Sequence, residues 1–489
     1  MYWPLSLVTV CVQCLVRARS GTQRHYAEPT IGGMNPDTAR TQTTRTTGAA
    51  LPAARAVLED LFGPPSWRPF AVRFWDGTVE GPGEEHELRF TLTLRRPGAL
   101  RRMLLPPTDL ALGEAYLRGD FDVEGDLEEA TVLAELVAVR LRSPTLLVRL
   151  VRRLRTLPSD DLQQSGGIHG SRRRFTGRRH SRGRDAVAVR SHYDVGNDFY
   201  ALWLDRRMAY SCAYFEVGEE DIDAAQEAKL GYICRKLRLK PGETLLDVGC
   251  GWGSLVLYAA ERYGVWAAGI TLSEPQAALA RSRIAAAGLT DRCRVEVRDY
   301  RDLPRGASFD KVVSVGMFEH VGRAKLPDYF AQAYRLTKPG GFFLNHGIVT
   351  LSLPSASVRA VARLLGPKTS FIQRHVFPDG ELVAPAEVLR FAEAAGFETR
   401  DVESLREHYT LTLRQWVQRL EARHEEATRL AGEQTYRVWR LYMAASARSF
   451  ATGRIGIVQA LFCRTNETGV CDLPLTRKDL YRAAASERR

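Results

Sequence analysis

The stretch "ETLLDVGCGWGS" (residues 243–254) most restricts what this chain can form: an apolar run ends in three glycines and passes directly into the helical pattern "LVLYAAERYG". Glycines at a strand-to-helix turn let the backbone approach a ligand closely, and the helix N-terminus behind them offers unpaired N–H groups. The alternation continues downstream. "VWAAGITLS" reads as a second strand, "EPQAALARSRIAAAG" as a helix, "CRVEVRD" and "FDKVVSVG" as third and fourth strands, "LPDYFAQAYRLT" as a helix and "GFFLNHGIV" as a fifth strand. Such alternation predicts an α/β fold with a doubly wound, Rossmann-like parallel sheet that binds ligands at the carboxyl ends of its strands.

With 489 residues the chain should hold two or three domains. Residues 1–50 are expected to be disordered or an over-extended N-terminus, with Met34 as an alternative start. "WPLSLVTVCVQCLV" is apolar but too short to span a bilayer, and residues 20–50 are poor in large apolar side chains. Residues 51–157 are expected to form a small N-terminal α+β domain, from the alternating "HELRFTLTLRR" and the helical spacing of 126–155. Residues 158–189, rich in Gly, Ser and Arg, read as a basic flexible linker. The sheet domain is assigned to 190–470 and a C-terminal tail to 471–489.

The net charge of +12 implies an anionic partner without choosing it. Docking of Arg172, Arg173, Arg174, Arg178, Arg179, Arg182 and Arg184 on anionic headgroups is the lipid reading of the linker, and a solvated tether is the other. Nucleic acid is not expected, because no binding motif and no aromatic stacking platform accompany the cluster. Eight scattered cysteines fit reduced cytoplasmic thiols better than a disulfide framework, and no ligand spacing suggests a metal.

A dinucleotide loop prefers G-x-G-x-x-G. Here Gly249, Gly251 and Gly253 stand at G-x-G-x-G spacing with Asp247 ahead of them, which resembles motif I of S-adenosylmethionine (SAM) dependent methyltransferases. "LTKPGGFF" (336–343) resembles the turn those enzymes carry before their fifth strand. Moreover, "SHYDVGNDFYALWLD", "AYSCAYF", "LDVGCGWGS", "GITLSEPQ", "RDYRDL" and "VSVGMFEHVG", in this order, closely resemble the cyclopropane-fatty-acyl-phospholipid synthase family, which includes the mycolic acid cyclopropane synthases. The resemblance is strong over about 190–465 and weaker over "LALGEAYLRGDFDVEGDLEE" (110–129).

The resemblance implies a class I methyltransferase sheet with helical lid insertions, a lipid-binding-like first domain, and methyl transfer from SAM to the cis double bond of an unsaturated phospholipid acyl chain. An alkene is itself a π nucleophile, so no base is needed to activate it. The cation left behind must be kept dry and must then lose a proton. The family uses a bound bicarbonate for that loss, and its ligands fall by motif match on Cys212, Glu319, His346, Ile348 and Tyr409. For SAM, Tyr210 and Ser211 are expected to close over the cofactor, Gly249 and Gly251 to approach its methionine part, Thr271, Leu272, Ser273 and Gln276 to line the ribose, and Asp299 and Tyr300 to lie beside adenine, with Asp247 and Gly253 also expected in the cofactor site.

Three departures qualify the match. Strand two ends in "GITLSEPQ" rather than an acidic residue, leaving Glu274 either as the ribose carboxylate or as a first-turn residue favoured by the helix dipole. "DY" stands at 299–300 where some members have "GW", and Ser446 stands where some have cysteine. In the 350–450 region Trp416, Leu420 and Leu430 lie at near-helical spacing, as acyl-tunnel wall or as ordinary core. The reading is a cyclopropane-fatty-acyl-phospholipid synthase, cytoplasmic and peripheral to the inner membrane surface, with a homodimer left open. Its alternatives are a methyl- or methylene-branching enzyme of the same family, a catalytically idle lipid-binding homologue, and a small-molecule methyltransferase.

Overall fold

A computed structural model describes residues 36–159, 177–193, 195–351 and 369–481. The chain divides into two compact units, Met1–Arg172 with Pro354–His375, and Arg173–Leu353 with Val376–Arg489.

The first unit is built on a four-stranded sheet of order β2-β1-β3-β4, with β1 at Ala71–Arg73, β2 at Val79–Glu80, β3 at Phe90–Leu94 and β4 at Phe121–Gly125. The expected α+β organisation is present, although its first helix, Pro36–Phe62, begins inside the stretch expected to be disordered. Ala50, Ala54, Val57, Leu58 and Leu61 fall at helical spacing and are all buried, which is why the chain is helical there. Residues 1–35 lie outside the described residues. Ser143 caps the Pro144–Thr156 helix through the Leu146 N–H, and this helix buries Leu146, Leu147, Leu150 and Leu154. Its Arg149 and Arg153 meet Asp60 at 3.3 and 3.1 Å.

One part of the region read as lid belongs to this first unit. The Phe371 N–H donates to Asp109 at 3.0 Å, and Arg374 meets Glu114 at 3.2 Å. The single span 190–470 is therefore interrupted.

The second unit carries a seven-stranded sheet of order β10-β11-β9-β8-β5-β6-β7. Strands β5 (Thr244–Val248), β6 (Trp266–Thr271), β7 (Cys293–Val297), β8 (Phe309–Val315) and β9 (Thr337–Thr350) pair in parallel, while β11 (Ile455–Cys463) runs antiparallel to both β9 and β10 (Glu398–Ser404). The crossover helices are Ser254–Tyr263, Glu274–Ala286 and Leu326–Leu336, as the periodicity predicts. The chain moves outward from β5 to β7 and then returns to β8 on the other side of β5. That reversal leaves a crevice at the carboxyl ends of β5 and β8, where ligands bind in open α/β sheets.

Two sequence expectations are corrected here. The segment from Arg182 to Tyr193 is helical rather than linker, and Arg179 and Arg184 meet Asp379 at 3.1 and 2.5 Å while Arg182 meets Asp302 at 2.7 Å. Asp379 is buried, and a buried carboxylate holds nearby cations in place of a lipid headgroup. Arg172, Arg173 and Arg174 lie outside the described residues. Cys463 and Cys471 are joined as a disulfide, against the expectation that every thiol is reduced, because Cys471 follows the last strand closely enough to fold back on it. Cys212, Cys234, Cys250 and Cys293 are free and buried.

Candidate functional site

The crevice opens into a cavity of about 1180 Å³, including its open mouth. Ten of the expected cofactor residues line it: Tyr210, Ser211, Asp247, Gly249, Gly251, Thr271, Leu272, Gln276, Asp299 and Tyr300. Gly253 and Ser273 do not. Gly253 precedes the Ser254–Tyr263 helix, where a Cβ would sit 3.0 Å from the Ala280 side chain, and Ser273 caps the Glu274–Ala286 helix through the Gln276 N–H. Both shape the wall from behind. Glu274 is exposed and pairs with Arg281 at 3.0 Å, which settles it as a first-turn residue rather than a ribose ligand.

The glycine turn has a steric cause. Gly249 adopts φ 88°, and a Cβ there would meet Met317 at 3.0 Å, so only glycine keeps this part of the crevice open. Its N–H and that of Cys250 both donate to Ile270 O, which ties the loop to the end of β6. Thr271 Oγ1 donates to Gln276 Oε1 at 2.9 Å and accepts the Ser273 N–H at 3.2 Å, so the loop after β6 is preorganised.

Asp247 is buried at the end of β5, and its Oδ1 has no hydrogen-bond partner. Burial pushes this carboxyl up to about 7, against the pull of Lys229. Lys229 also lines the cavity. Its ammonium donates to Ser211 Oγ at 2.8 Å, and burial brings it down to about 8 despite Asp205, Cys212 and Asp247 nearby. At the far side, burial works against ionisation of Asp299, but Arg301 grips both of its carboxylate oxygens at 2.8 and 2.5 Å and holds it below the usual range. An orphaned carboxylate oxygen, a glycine cradle and a hydroxyl-lined loop after β6 fit SAM, which carries an α-ammonium, ribose hydroxyls and a cationic sulfonium.

The five residues expected around the anion do not line this cavity, and hydrogen bonds and strand pairing link the elements that carry them. Glu319 Oε1 accepts the Ile348 N–H at 2.7 Å. Ile348 on β9 pairs in register with Ile457 on β11, and the Ile457 carbonyl accepts the Leu405 N–H at 3.0 Å. The Leu405 carbonyl in turn accepts from the Tyr409 N–H at 3.1 Å and the Cys212 thiol at 3.7 Å. His346 lies two residues before Ile348 on β9, at a register pair with Gln459. The Gln459 amide nitrogen approaches His346 Nδ1 at 2.9 Å, and His346 Nε2 is buried with no partner.

Burial dominates the electrostatics of this group. Glu319 is fully enclosed, Oε2 has no partner, and burial pushes its carboxyl up to about 7. His346 is held well below its ordinary value, first by burial and then by Lys229, so the ring is neutral. With Gln459 donating to Nδ1, the ring proton sits on Nε2 and is available to an acceptor. Tyr409 stays protonated, as burial drives it well up. The same holds for the Cys212 thiol, which is raised far above its ordinary value. Glu319 near neutral pH, His346 through Nε2–H and Tyr409 through O–H are therefore each able to donate a hydrogen bond.

Aromatic rings crowd the cavity wall. Tyr210 lies 5.3 Å from Trp416 and 5.4 Å from Trp203, and Tyr193, which lines the cavity, lies 6.3 Å from Tyr210, centroid to centroid. Trp416 and Leu420 are fully buried in the Arg406–Ala422 helix, whereas Leu430 is exposed on the next one. Ser446 is buried in the Glu433–Ala451 helix.

Sequence reasoning missed Lys229, Gln459 and Arg301. The first two carried a signal: Lys229 stands on the apolar face of the Ile222–Leu237 helix, four residues before Ile233, and Gln459 is the one polar side chain in "IGIVQALFC", whose nine residues are all buried.

A family model described as mycolic acid cyclopropane synthetase matches residues 180–460, and one described as a domain of unknown function matches 57–138. A probable fatty acid methyltransferase of Pseudomonas putida is 40% identical over 414 residues, covering 85% of this chain and 96% of its own. The cyclopropane-fatty-acyl-phospholipid synthase of Escherichia coli K12 is 36% identical over 290 residues, covering 59% of this chain and 71% of its own. Among solved structures, mycolic acid cyclopropane synthase CmaA1 complexed with S-adenosylhomocysteine (SAH) and CTAB superposes with a TM-score of 0.52 at 35% identity, covering 57% of this chain and 97% of its own.

Proposed function

Since the chain belongs to the mycolic acid cyclopropane synthetase family and is a SAM-dependent methyltransferase, we propose that it acts on the cis double bond of unsaturated phospholipid acyl chains and closes a cyclopropane ring there. The observation that supports this reading is the burial of Glu319, His346 and Tyr409, none of which lines the cofactor cavity, with Glu319 Oε2 and His346 Nε2 both unpartnered.

Bound SAM supplies an electrophilic methyl group on its sulfonium. The chain's own residues do the rest. Gly249, Gly251 and Ser211 hold the methionine end of SAM, Thr271 and Gln276 face its ribose, and the Tyr193, Tyr210 and Trp416 rings exclude water from the reacting carbons. Aromatic faces near a developing cation also stabilise it. No side chain needs to activate the alkene, which is itself a π nucleophile.

The donor set fits bicarbonate: Tyr409 and His346 are neutral donors, and the raised pKa of Glu319 lets it share a proton with an anion instead of repelling it. Bicarbonate held there would supply the acceptor for the proton that the acyl cation loses. Glu319, fixed by the Ile348 N–H and raised to about 7, can hold or release a proton near neutral pH. Cys212 and Ile348 contribute backbone groups.

A second reading is favoured by coverage. A relative whose match covers 85% of this chain is named a probable fatty acid methyltransferase, whereas the match to the cyclopropane synthase covers 59%. In that reading the same cation loses a proton so as to leave a methylene or methyl branch. Expression in a host that lacks cyclopropane lipids, followed by mass spectrometry with gas-phase fragmentation, separates the two. Ring-bearing chains support the first reading, and branched chains replace it with the second. No helix among the described residues is long and apolar enough to cross a membrane. In this reading the first unit serves as the lipid-binding module.

A further inference from the structure

Lys229 is 2% exposed, and its position asks for a purpose. A buried ammonium is costly unless an anion or several acceptors compensate it. Its one recorded hydrogen bond is to a neutral group, Ser211 Oγ at 2.8 Å. Of the carboxylates near it, Asp205 is already engaged, accepting the Ala209 and Arg207 N–H groups at 2.7 and 2.8 Å. Asp247 lines the same cavity and keeps Oδ1 unpartnered. The cavity thus presents a buried cation and a buried carboxylate oxygen at the β5 end, each incompletely satisfied.

The amino-acid end of SAM is a zwitterion, whose α-carboxylate and α-ammonium call for one partner of each sign. This end of the cavity is separated from Asp299, Tyr300 and Arg301, which follow β7. That strand lies two places from β5 in the sheet, roughly 10 Å away at ordinary strand spacing. A nucleoside occupying the β7 side leaves the β5 side for the amino-acid end.

We propose that Lys229, together with the Ser211 hydroxyl it holds, receives the α-carboxylate of SAM, and that Asp247 receives the α-ammonium. The assignment rests on the SAM reading of the cavity and extends it to a residue that recognises the amino-acid end rather than the nucleoside. Lys229 is then a cofactor-discriminating residue. It makes the site select SAM and SAH over adenosyl thioethers that lack the carboxylate.

Calorimetric binding of two ligands, SAH and 5′-methylthioadenosine, to wild type, Lys229→Met and Lys229→Gln tests it. The second variant keeps a donor for Ser211 Oγ if the first does not fold. Wild type should prefer SAH. Either variant should lose about 10- to 100-fold in SAH affinity, the worth of a hydrogen bond to a charged group, with 5′-methylthioadenosine binding changed less than about twofold. Equal losses for both ligands would assign Lys229 to support of the Ser211 loop alone and overturn the proposal, as would unchanged SAH binding. A wild-type protein that binds neither ligand would overturn the SAM site itself, and this assignment with it.

Discussion

The Ile348 N–H donates to Glu319 Oε1 at 2.7 Å, so the loop after β8 and the end of β9 are joined by one buried hydrogen bond that leaves the second carboxylate oxygen free. A carboxyl fixed at one oxygen and unpartnered at the other is arranged to exchange a proton. Glu319→Gln keeps the shape and can still accept the Ile348 N–H, but it cannot carry a proton in and out. The expected result is a loss of roughly 10²- to 10⁴-fold in turnover, the usual worth of a positioned acid or base, with SAH affinity unchanged. Steady-state kinetics and calorimetry on the same preparation check it.

The same variant reports on proton linkage. Burial raises Glu319 from its ordinary 4.5 to about 7, so between those values the folded protein holds a proton that the unfolded chain has released. Its contribution to stability is fully present below about pH 4.5 and is lost as pH rises through about 7. Glu319→Gln lacks that dependence. The stability of wild type minus that of the variant should therefore fall by up to roughly 1.4 kcal/mol per pH unit across this window and level off above it. His192, His320 and His346, all held below their ordinary value by burial, push the whole protein the other way but cancel in the difference. Denaturant titrations at a series of pH values measure it, and a difference independent of pH contradicts the enclosed carboxyl.

Cys212 answers a different question. Its thiol is buried, protonated and directed at the Ala213 and Leu405 carbonyls at 3.3 and 3.7 Å, a geometry in which a serine hydroxyl also serves. A π nucleophile attacking a sulfonium methyl needs no covalent enzyme intermediate. Cys212→Ser should thus keep activity within about tenfold of wild type, a bound set by loss of one ordinary hydrogen bond. A collapse as deep as that of Glu319→Gln would mean the sulfur takes part in the reaction.

Gln459 fixes the His346 ring through its amide contact at 2.9 Å. Gln459→Leu leaves Nδ1 without that donor, so the ring proton is free to move to the wrong nitrogen. Turnover should drop about tenfold, on the scale of one buried hydrogen bond, while the KM for SAM stays put. A change in KM alone would show that the pair supports the cofactor cavity instead.

The parallel sheet was legible because its signals are local: an apolar run, a glycine turn and a helical pattern repeat within each crossover. Ten of twelve expected cofactor residues line the cavity for the same reason, since strand ends converge wherever a doubly wound sheet forms. Gly253 and Ser273 belong to the same motifs but face their own helices, a distinction set by side-chain direction rather than by spacing. The partners of Arg179 and Arg184 were not legible. Asp379 stands about two hundred residues away, and only folding brings it to the linker, where it turns apparent headgroup ligands into internal ion pairs. The fusion of 369–375 to the first unit depends in the same way on Asp109 and Glu114, far upstream. Lys229 and Gln459 were visible as polar residues on apolar faces, but the chemistry they serve emerges only when Ser211 and His346 arrive beside them.

The central claim is that a methyl group from SAM ends on the carbon chain of an unsaturated lipid. Purified protein incubated with methyl-labelled SAM and vesicles of cis-unsaturated phospholipid should release SAH and place the label within the acyl chain, with fully saturated vesicles taking up none. Label recovered in the headgroup, or SAH formed with a soluble acceptor and not with unsaturated vesicles, would contradict the account.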